Sequence, residues 1–598
     1  MLAFSVNRMF LSLLFLCVCW RHVSCYDEDH EEERHGVDPS GRNVTCDPTS
    51  RYRSFDGSCN NLRHPTFGVA GSTFRRILPP KYENGDGRTP RLTGVTGAKL
   101  PSPRLVSVTV HGPGNDTADD ANMMLTQWGQ FLAHDLTRTL QASFNGSCCS
   151  SDLVTSGVLH PDVVNGGPCF PIIVDRMDRH FDDVSTRCME FQRSDHRTDL
   201  TNTRQQYNEA TSWIDASHIY GHTEDRARSL RSFNNGKLKV ITVNGEDFLP
   251  ENVEATEKTC FKLQAGDYCF KAGDVRVNFY PGLSALHTMF LRYHNKICDR
   301  LKPIHGDWSD EILYQEARRL VIAVIQRITY DEFMVQILGQ AASKYGLLFG
   351  NYSYNSSIDP TLSNVFSTAA YRFGHSLVSD SLTINGQVVE TGDVFTRPKF
   401  VLNSLKGVTE AFLRGRSHGA DRWFAKGMTD RMFEKPNKPK TGFDIVARNI
   451  QRGRDHGIRP YNDWLEHFGF PRATFETIGQ VYGRVYSSVD DVDLYGGAAG
   501  ETRAYQGRVG QLYSAILGAQ FRDLKFGDRF WFENLDDVSS FTADQVSQIA
   551  GLKLSRVICD TVAGITKIQL NAFQTVSPEN SLADCSTLAD VDIERFWV

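Results

Sequence analysis

Apolar residues recurring at intervals of three and four run through the middle of this 598-residue chain, and that spacing constrains its fold more than any other feature. Leu283, Leu286, Phe290, Tyr293 and Ile297 form one series; Leu313, Ala317, Leu320, Val324 and Ile328 form another. A period near 3.6 puts each set on one face of a helix. Met123 to Thr139, MMLTQWGQFLAHDLTRT, reads as a third amphipathic helix, and Thr542 with Gln545 gives a capping-box opening to a fourth. Strand signals are sparse: Ser381 to Glu390, SLTINGQVVE, suggests two short strands around an Asn-Gly turn. The expected fold is therefore mainly α, with few short strands. With 40% of residues hydrophobic, the chain can bury a sizeable core, as one large domain or a few smaller ones.

A formal net charge of −6 favours neither a nucleic-acid surface nor a basic membrane surface. Arg8, the apolar run Met9 to Trp20 broken only by Ser12, and the pair Val23 and Cys25 read as a secretory signal peptide spanning 1–25. No later window is long and apolar enough to span a membrane, so a secreted, extracellular product is expected. Residues 26–45, with the acidic run Asp27 to Glu33, read as a flexible tail, and 46–598 as the folded domain. The stretch Arg51 to Arg91 has little periodicity and must be pinned by a disulfide or by packing on a larger body.

The chain holds fourteen cysteines. Short loops would be closed by Cys46 with Cys59, Cys169 with Cys188, Cys260 with Cys269 and Cys559 with Cys585. Cys148, Cys149 and Cys298 are then left over, which keeps a disulfide-linked homodimer open. Sequons at Asn43, Asn115, Asn145, Asn351 and Asn355 mark expected surface loops of a glycoprotein.

Five stretches carry chemistry. In the Met123 helix, Gln130 and His134 stand four apart on one face, where a histidine beside an amide can act as acid and base. In Asn208 to Gly221, NEATSWIDASHIYG, the residues Thr211, Trp213, Asp215 and Ser217 alternate, so one extended loop could aim hydroxyls, a carboxylate and carbonyls at one point; oxygen-only ligation suits calcium. In RVNFYPGLSALHTMFLRYHN, Arg276 lies just ahead of Pro281, a residue that fits a helix start. YRFGH ends at His375, and NIQRGRDHGIRPYN begins at Asn449.

Read as a set, these stretches resemble the animal haem peroxidase superfamily, which includes myeloperoxidase, thyroid peroxidase and peroxinectin-like enzymes, over roughly Cys46 to Ala583. The resemblance implies a helical peroxidase fold and a haem-dependent enzyme that reduces hydrogen peroxide while oxidising a small donor or a protein tyrosine. It puts the distal histidine on His134, the distal glutamine on Gln130, the distal arginine on Arg276, the proximal iron ligand on His375 and that ligand's hydrogen-bond partner on Asn449. Arg372 and Arg452 fall where the family faces the haem propionates. Asp135, Thr211, Trp213 by its carbonyl, Asp215 and Ser217 fall on the calcium ligands.

Two positions depart from the mammalian pattern. Ala133 and Phe279 stand where those enzymes ester-link the haem through an aspartate and a glutamate, and Tyr280 stands where myeloperoxidase has methionine. The resemblance therefore implies haem b without family-type ester links, which favours phenols, easily oxidised halides and thiocyanate over chloride. Tyr293 is a smaller departure, at a place the family usually gives to an acid. Three other readings remain beside this one, among them plain matrix scaffolding through glycans and disulfides without haem. A fatty-acid oxygenase relative would carry its radical tyrosine three residues before the proximal histidine, but Arg372 holds that place and Tyr371 is one residue too early. A secreted adhesion or extracellular-matrix protein could keep the fold without turnover, although the chain has no Arg-Gly-Asp triplet.

Overall fold

The computed structural model describes residues 35–597 apart from 114–119, 152, 156–157, 160–166, 183–186, 258 and 263–266; the signal-peptide segment lies outside these. The helices that build the interior are, in chain order, α1 (Pro103–Val110), α2 (Met123–Leu136), α3 (Pro281–Ile304), α4 (Asp310–Ile328), α5 (Leu405–Arg414), α6 (Ile445–Asp455) and α7 (Gln511–Phe526). Helix α3 is central and packs against α2, α4 and α5. Both apolar series fall on buried faces, Leu283 to Ile297 on α3 and Leu313 to Ile328 on α4. Each leucine buried in this way contributes about 1.5–3 kcal/mol. Tyr293 is buried among them, so the aromatic fills core volume at this position.

Helix α2 begins where its sequence places it. The Asn122 side chain accepts from Met124 N and donates to the carbonyls of Leu413, Ala572 and Gln574, capping the helix and tying it to two distant segments. It ends at Leu136, three residues before the expected Thr139, for a specific reason. Asn208 donates to the Leu136 carbonyl and accepts from Arg138 N, both at 2.7 Å, so the backbone turns extended at Thr137. The same asparagine opens the 208–221 loop, which is thereby fastened to the end of α2.

Among the described residues every sheet is a two-stranded antiparallel pair, as a mainly helical chain requires. Ser381–Ile384 pairs with Gln387–Glu390, and Asn385 and Gly386 both have positive φ (50° and 79°), the signature of a tight primed turn. The Thr542 and Gln545 capping box is present. No described helix is long and apolar enough to cross a membrane.

Two expectations need correction. Residues 35–45, assigned to a flexible tail, form a hairpin in which His35–Val37 pairs with Asn43–Thr45. Asp38 stabilises its turn by accepting from the backbone nitrogens of Ser40 and Arg42. The middle cysteines also pair differently: Cys148 bonds Cys169 and Cys149 bonds Cys188, so the Cys169–Cys188 bridge does not form. The strand pair Ile172–Ile173 with Cys188–Met189 carries the segment back past the neighbouring Cys148 and Cys149, and each is bridged. Cys46–Cys59, Cys260–Cys269 and Cys559–Cys585 form as expected. Cys298 is free and buried inside α3, out of reach of a second chain.

The irregular arm after Cys46 is held both by its disulfide and by packing. Arg51 and Tyr52 bond Glu316 on α4, and Arg53 and Asn60 bond Asp528. Gly57 and Gly68, both at positive φ, let the arm close on the Trp213 indole; a Cβ at either would lie within 3 Å of that ring. Of the sequon asparagines, Asn43, Asn145, Asn351 and Asn355 are exposed, and Asn115 lies outside the described residues.

The interior also sets an acid limit on stability. Burial lowers His111 and His294 to about 4 from 6.5. Below 6.5 the unfolded chain takes up protons that these rings refuse, so stability is intact at pH 7 and is lost as pH falls from about 6.5 to about 4. The thermal midpoint should drop across that window, and replacing His294 with a neutral residue of similar size should flatten the slope; a midpoint constant between pH 7 and pH 4 would contradict this.

Candidate functional site

Residues 125–134 of α2, Thr137 just past its end, the segment Arg276–Tyr280, Phe333 and the run Tyr371–Val378 enclose a cavity of about 320 Å³, closed on its remaining side by Phe395, Met428, Met432, Phe433 and Ile445. Gln130, Ala133 and His134 line it because they repeat at helical spacing along α2, and Thr137 joins them from the C-cap. A six-residue π turn after α4 swings Phe333 in to meet Gly129, where a Cβ would come to 3.3 Å of the ring.

His134 is buried with its Nδ1 sealed from solvent and without a hydrogen-bond partner, so Nε2 is the nitrogen that meets the cavity. Burial, and then the charge of Arg276, push its pKa well below 6.5, so the ring is neutral and able to accept a proton. Arg276 lies on a short 3₁₀ turn, Val275–Asn278, and is fixed by Asp274. Asp274 accepts from Arg276 N and Nε on one oxygen (2.7 and 2.8 Å) and from Nη2 on the other (2.7 Å). Burial alone would raise the Asp274 pKa, but Arg276 holds it far below the usual carboxylate range. Arg276 Nη2 also reaches the His134 carbonyl at 3.4 Å.

His375 lines the same cavity, at the end of a short 3₁₀ segment, Ala370–His375. Its Nδ1 lies 2.8 Å from Asn449 Nδ2. Arg372, which can only donate, bonds Asn449 Oδ1 at 2.7 Å and so turns the amide nitrogen toward the ring. With Nδ1 engaged, Nε2 is the nitrogen left for a metal, whose binding would displace its proton. Burial and the Arg372 charge lower the His375 pKa to about 3, so protonation does not compete with ligation at neutral pH. Asn449 is positioned by α6, which is anchored at both ends by buried ion pairs. Asp444, its N-cap, bonds Arg104 at 2.7 Å, and Asp455, its last residue, bonds Arg193 at 2.7 Å.

Arg372 is a wall residue; Arg452 is not. Arg452 pairs with Asp455 at 2.8 Å, donates to Ser194 and lies 4.1 Å over the Phe191 ring. Burial and the Arg452 charge bring the Arg372 pKa down to about 10, and among the described residues no acidic partner neutralises Arg372. An anionic group entering the cavity would therefore find a buried cation ready to receive it.

Immediately behind His134, Asp135 and Asp215 are buried together with two hydroxyls. Ser217 Oγ lies 3.1 Å from Asp135 Oδ1, and Thr211 Oγ1 lies 2.9 Å from Asp215 Oδ2 and 3.4 Å from Ser217 Oγ. His218 Nδ1 is 2.9 Å from Asp135 Oδ1. Burial and then the Asp135 charge raise the Asp215 pKa to about 7. Ala216 between them sits at φ 60°, a left-handed conformation for a non-glycine that the surrounding contacts must impose. The Trp213 indole holds no oxygen and donates to Gly57 O at 3.0 Å, which leaves the backbone carbonyl as the oxygen this residue offers. Among the described residues no three His, Cys, Asp or Glu side chains converge as a metal cluster. The set here has two carboxylates with hydroxyls, a hard oxygen environment suited to calcium.

Ala133, Phe279 and Tyr280 all line the cavity, and among the described residues no carboxylate does. Phe279 packs edge-on to Phe433 at 5.0 Å, and the Tyr280 ring packs on Phe395 and Phe412. Several site residues carried no readable signal in the sequence. Met428, Met432 and Phe433 come from a segment without periodicity. Asp274 could have been found from its place two residues ahead of Arg276, where a carboxylate caps a helical turn.

The chain matches the family described as animal haem peroxidase over residues 52–573. It is 33% identical to a peroxidase of Drosophila melanogaster, covering 93% of this chain and 84% of that protein. It is 34% identical to the myeloperoxidase of Mus musculus, covering 92% and 80%. Among solved structures, peroxidase A from Dictyostelium discoideum superposes with a TM-score of 0.74 at 26% identity, covering 88% of this chain and 99% of that one.

Proposed function

The chain belongs to the animal haem peroxidase family and is a haem-dependent peroxidase, and on that premise we propose that it is a secreted enzyme that spends hydrogen peroxide on phenolic donors such as tyrosine, or on easily oxidised halides and thiocyanate. The observation that carries the reading is the cavity wall, which brings His134, Gln130, Arg276 and His375 together and, among the described residues, holds no carboxylate. The unneutralised Arg372, the free Nε2 of His375 and the apolar lining of Phe279, Phe333, Phe395 and Phe433 fit a flat apolar group bearing a metal and anionic edges.

Haem would be held by His375 through Nε2, with Asn449 fixing the ring and Arg372 receiving a propionate; Arg452 would act from behind through its charge. Bound there, it supplies an iron that takes oxidising equivalents from peroxide and passes them to donors. The protein's part is proton and charge handling. His134 Nε2 takes the proton from one peroxide oxygen and returns it to the departing one. Arg276 stabilises the negative charge that builds as the O–O bond breaks. Gln130, one helical turn before His134, offers an amide to the same space.

The missing ester partners support an unlinked haem. Acidified organic solvent should extract unmodified haem b, and peptides spanning Ala133 and Phe279 should carry no haem mass. A haem adduct on either peptide, or on Tyr280, would contradict this.

The Asp135, Thr211, Asp215 and Ser217 set, with the Trp213 carbonyl, is assigned to calcium. Stripping the metal leaves two buried carboxylates facing each other, a cost of several kcal/mol. Chelation should lower the thermal midpoint and, through Asp135 beside His134, loosen the haem. Active protein found free of calcium by metal analysis would refute the site.

The mature domain is taken as residues 46–598, extended by the hairpin at 35–45, after removal of a signal at 1–25; five disulfides support passage through an oxidising compartment. Steady-state turnover with peroxide against a tyrosine analogue, thiocyanate, iodide, bromide and chloride tests the donor class. The tyrosine analogue and thiocyanate should be consumed readily and chloride should not; chloride turnover matching theirs would overturn the reading.

A further inference from the structure

We propose that Asp274 is the positioning residue of the distal side: it clamps Arg276, leaves Nη1 outside the clamp, and offsets its charge, so that this distal corner adds little attraction for small anions over neutral peroxide. The inference rests on the peroxidase reading above.

Three hydrogen bonds join the two residues, and they divide the guanidinium. Nε and Nη2 are both spent on the Asp274 carboxylate, and Nη2 also leans toward the His134 carbonyl. Nη1, with its two N–H groups, stays outside the clamp on a residue that lines the cavity. An arginine held bidentately presents its remaining N–H in a fixed direction, because the guanidinium is planar and rigid. Asp274 is 6% exposed and Arg276 19%, so the pair sits in a poorly solvated corner where each charge is felt strongly.

The carboxylate is itself fixed by backbone. Asp274 N donates to His218 O at 2.8 Å and Gly273 N to Ile219 O at 3.1 Å. A Cβ on Gly273 would lie 2.3 Å from Ser217 O, so only glycine permits this approach. The short helix Ser217–Tyr220 thus supports both distal groups: Asp135 of α2 through Ser217, and Arg276 through Asp274.

Charge follows from the same geometry. The Arg276 charge is met by Asp274 at 2.7 Å, and among the described residues no carboxylate lines the cavity. Two further cations reach Asp274 electrostatically. Arg138 is paired with Glu209 at 3.0 Å, and Arg226 is turned away to the Ala272 carbonyl. The distal corner is therefore close to electrically neutral, and a fluoride, chloride or bromide ion entering it gains little attraction. Peroxide, being neutral, loses nothing.

The test uses the purified holoenzyme and two readouts: fluoride affinity of the resting enzyme, from the haem absorbance, and the rate of reaction with peroxide. Asp274→Asn removes the countercharge and keeps the shape. It should bind fluoride more tightly than the parent while reacting more slowly with peroxide. Arg276→Leu, the comparison, should lose fluoride affinity and peroxide rate together. A merely structural role for Asp274 would disorder Arg276 and so lower both, as Arg276→Leu does; that result overturns the proposal, as do parent values of both. Asp274→Glu keeps the charge and shifts the clamp by one methylene, so it should retain parent fluoride affinity with a slowed peroxide reaction. If Asp274→Asn fails to fold, this variant decides: parent values in both readouts, or a fall in both, would overturn the proposal. A parent enzyme that bound fluoride yet ignored peroxide would fail the peroxidase reading, an outcome separate from these.

Discussion

Replacing His375 with alanine is expected to remove the haem absorbance band from the purified protein and with it all peroxide turnover. His375 is the cavity histidine whose outward nitrogen is engaged by a second side chain, and burial with the Arg372 charge keeps it unprotonated at neutral pH. Alanine deletes the only strong coordinate bond assigned to the cofactor and leaves apolar contact and the Arg372 charge to hold it. Asn449→Ala should be milder, weakening retention by roughly 10–100-fold, the usual scale for a group that orients a ligand. The helical content of the His375→Ala protein should be unchanged, because the residue lies in a short 3₁₀ segment outside the α1 to α7 core. A protein with parent absorbance and parent turnover after this change would take His375 out of the site.

His134→Ala should do the reverse, keeping the haem and losing the chemistry. Peroxide must give up a proton from one oxygen and gain one on the other, and His134 is the neutral base that meets the cavity. Its removal should slow the reaction with peroxide by about 10²–10⁴-fold. Arg276→Leu should cost about 10²–10³-fold, on the scale of losing one preorganised donor to developing charge. The double variant should lose less than the product, since the two groups act on one bond-breaking event. Rapid mixing with peroxide measures these rates, and a parent rate in His134→Ala would refute the assignment.

The sequence was most legible where chemistry and periodicity coincide. Gln130 and His134 could be placed on one helical face from their spacing, and the two apolar series marked α3 and α4. The 208–221 loop was legible as a set of oxygen donors, but not as a clamp on α2; that depends on Asn208, an ordinary loop residue until Leu136 is beside it. The wall of Phe395, Met428, Met432 and Phe433 left no trace, because those residues meet the cavity only after α5 and the hairpin have packed. Local loop length misassigned the cysteines near 148 for a related reason. Which sulfurs meet was decided by a strand pair formed further along, and loop length was no guide to it. Arg452 follows from the resemblance alone, and the sequence gives no sign of its ion pair with Asp455.

Single-turnover mixing tests the central claim most directly. Purified holoenzyme would be mixed with one equivalent of hydrogen peroxide and then offered either a tyrosine analogue or chloride, with the haem absorbance followed throughout. The band should shift on peroxide addition, stay shifted in chloride, and return to its resting form after two equivalents of the tyrosine analogue, one electron at a time. A band indifferent to peroxide, or one restored by chloride as fast as by the phenol, would contradict the account.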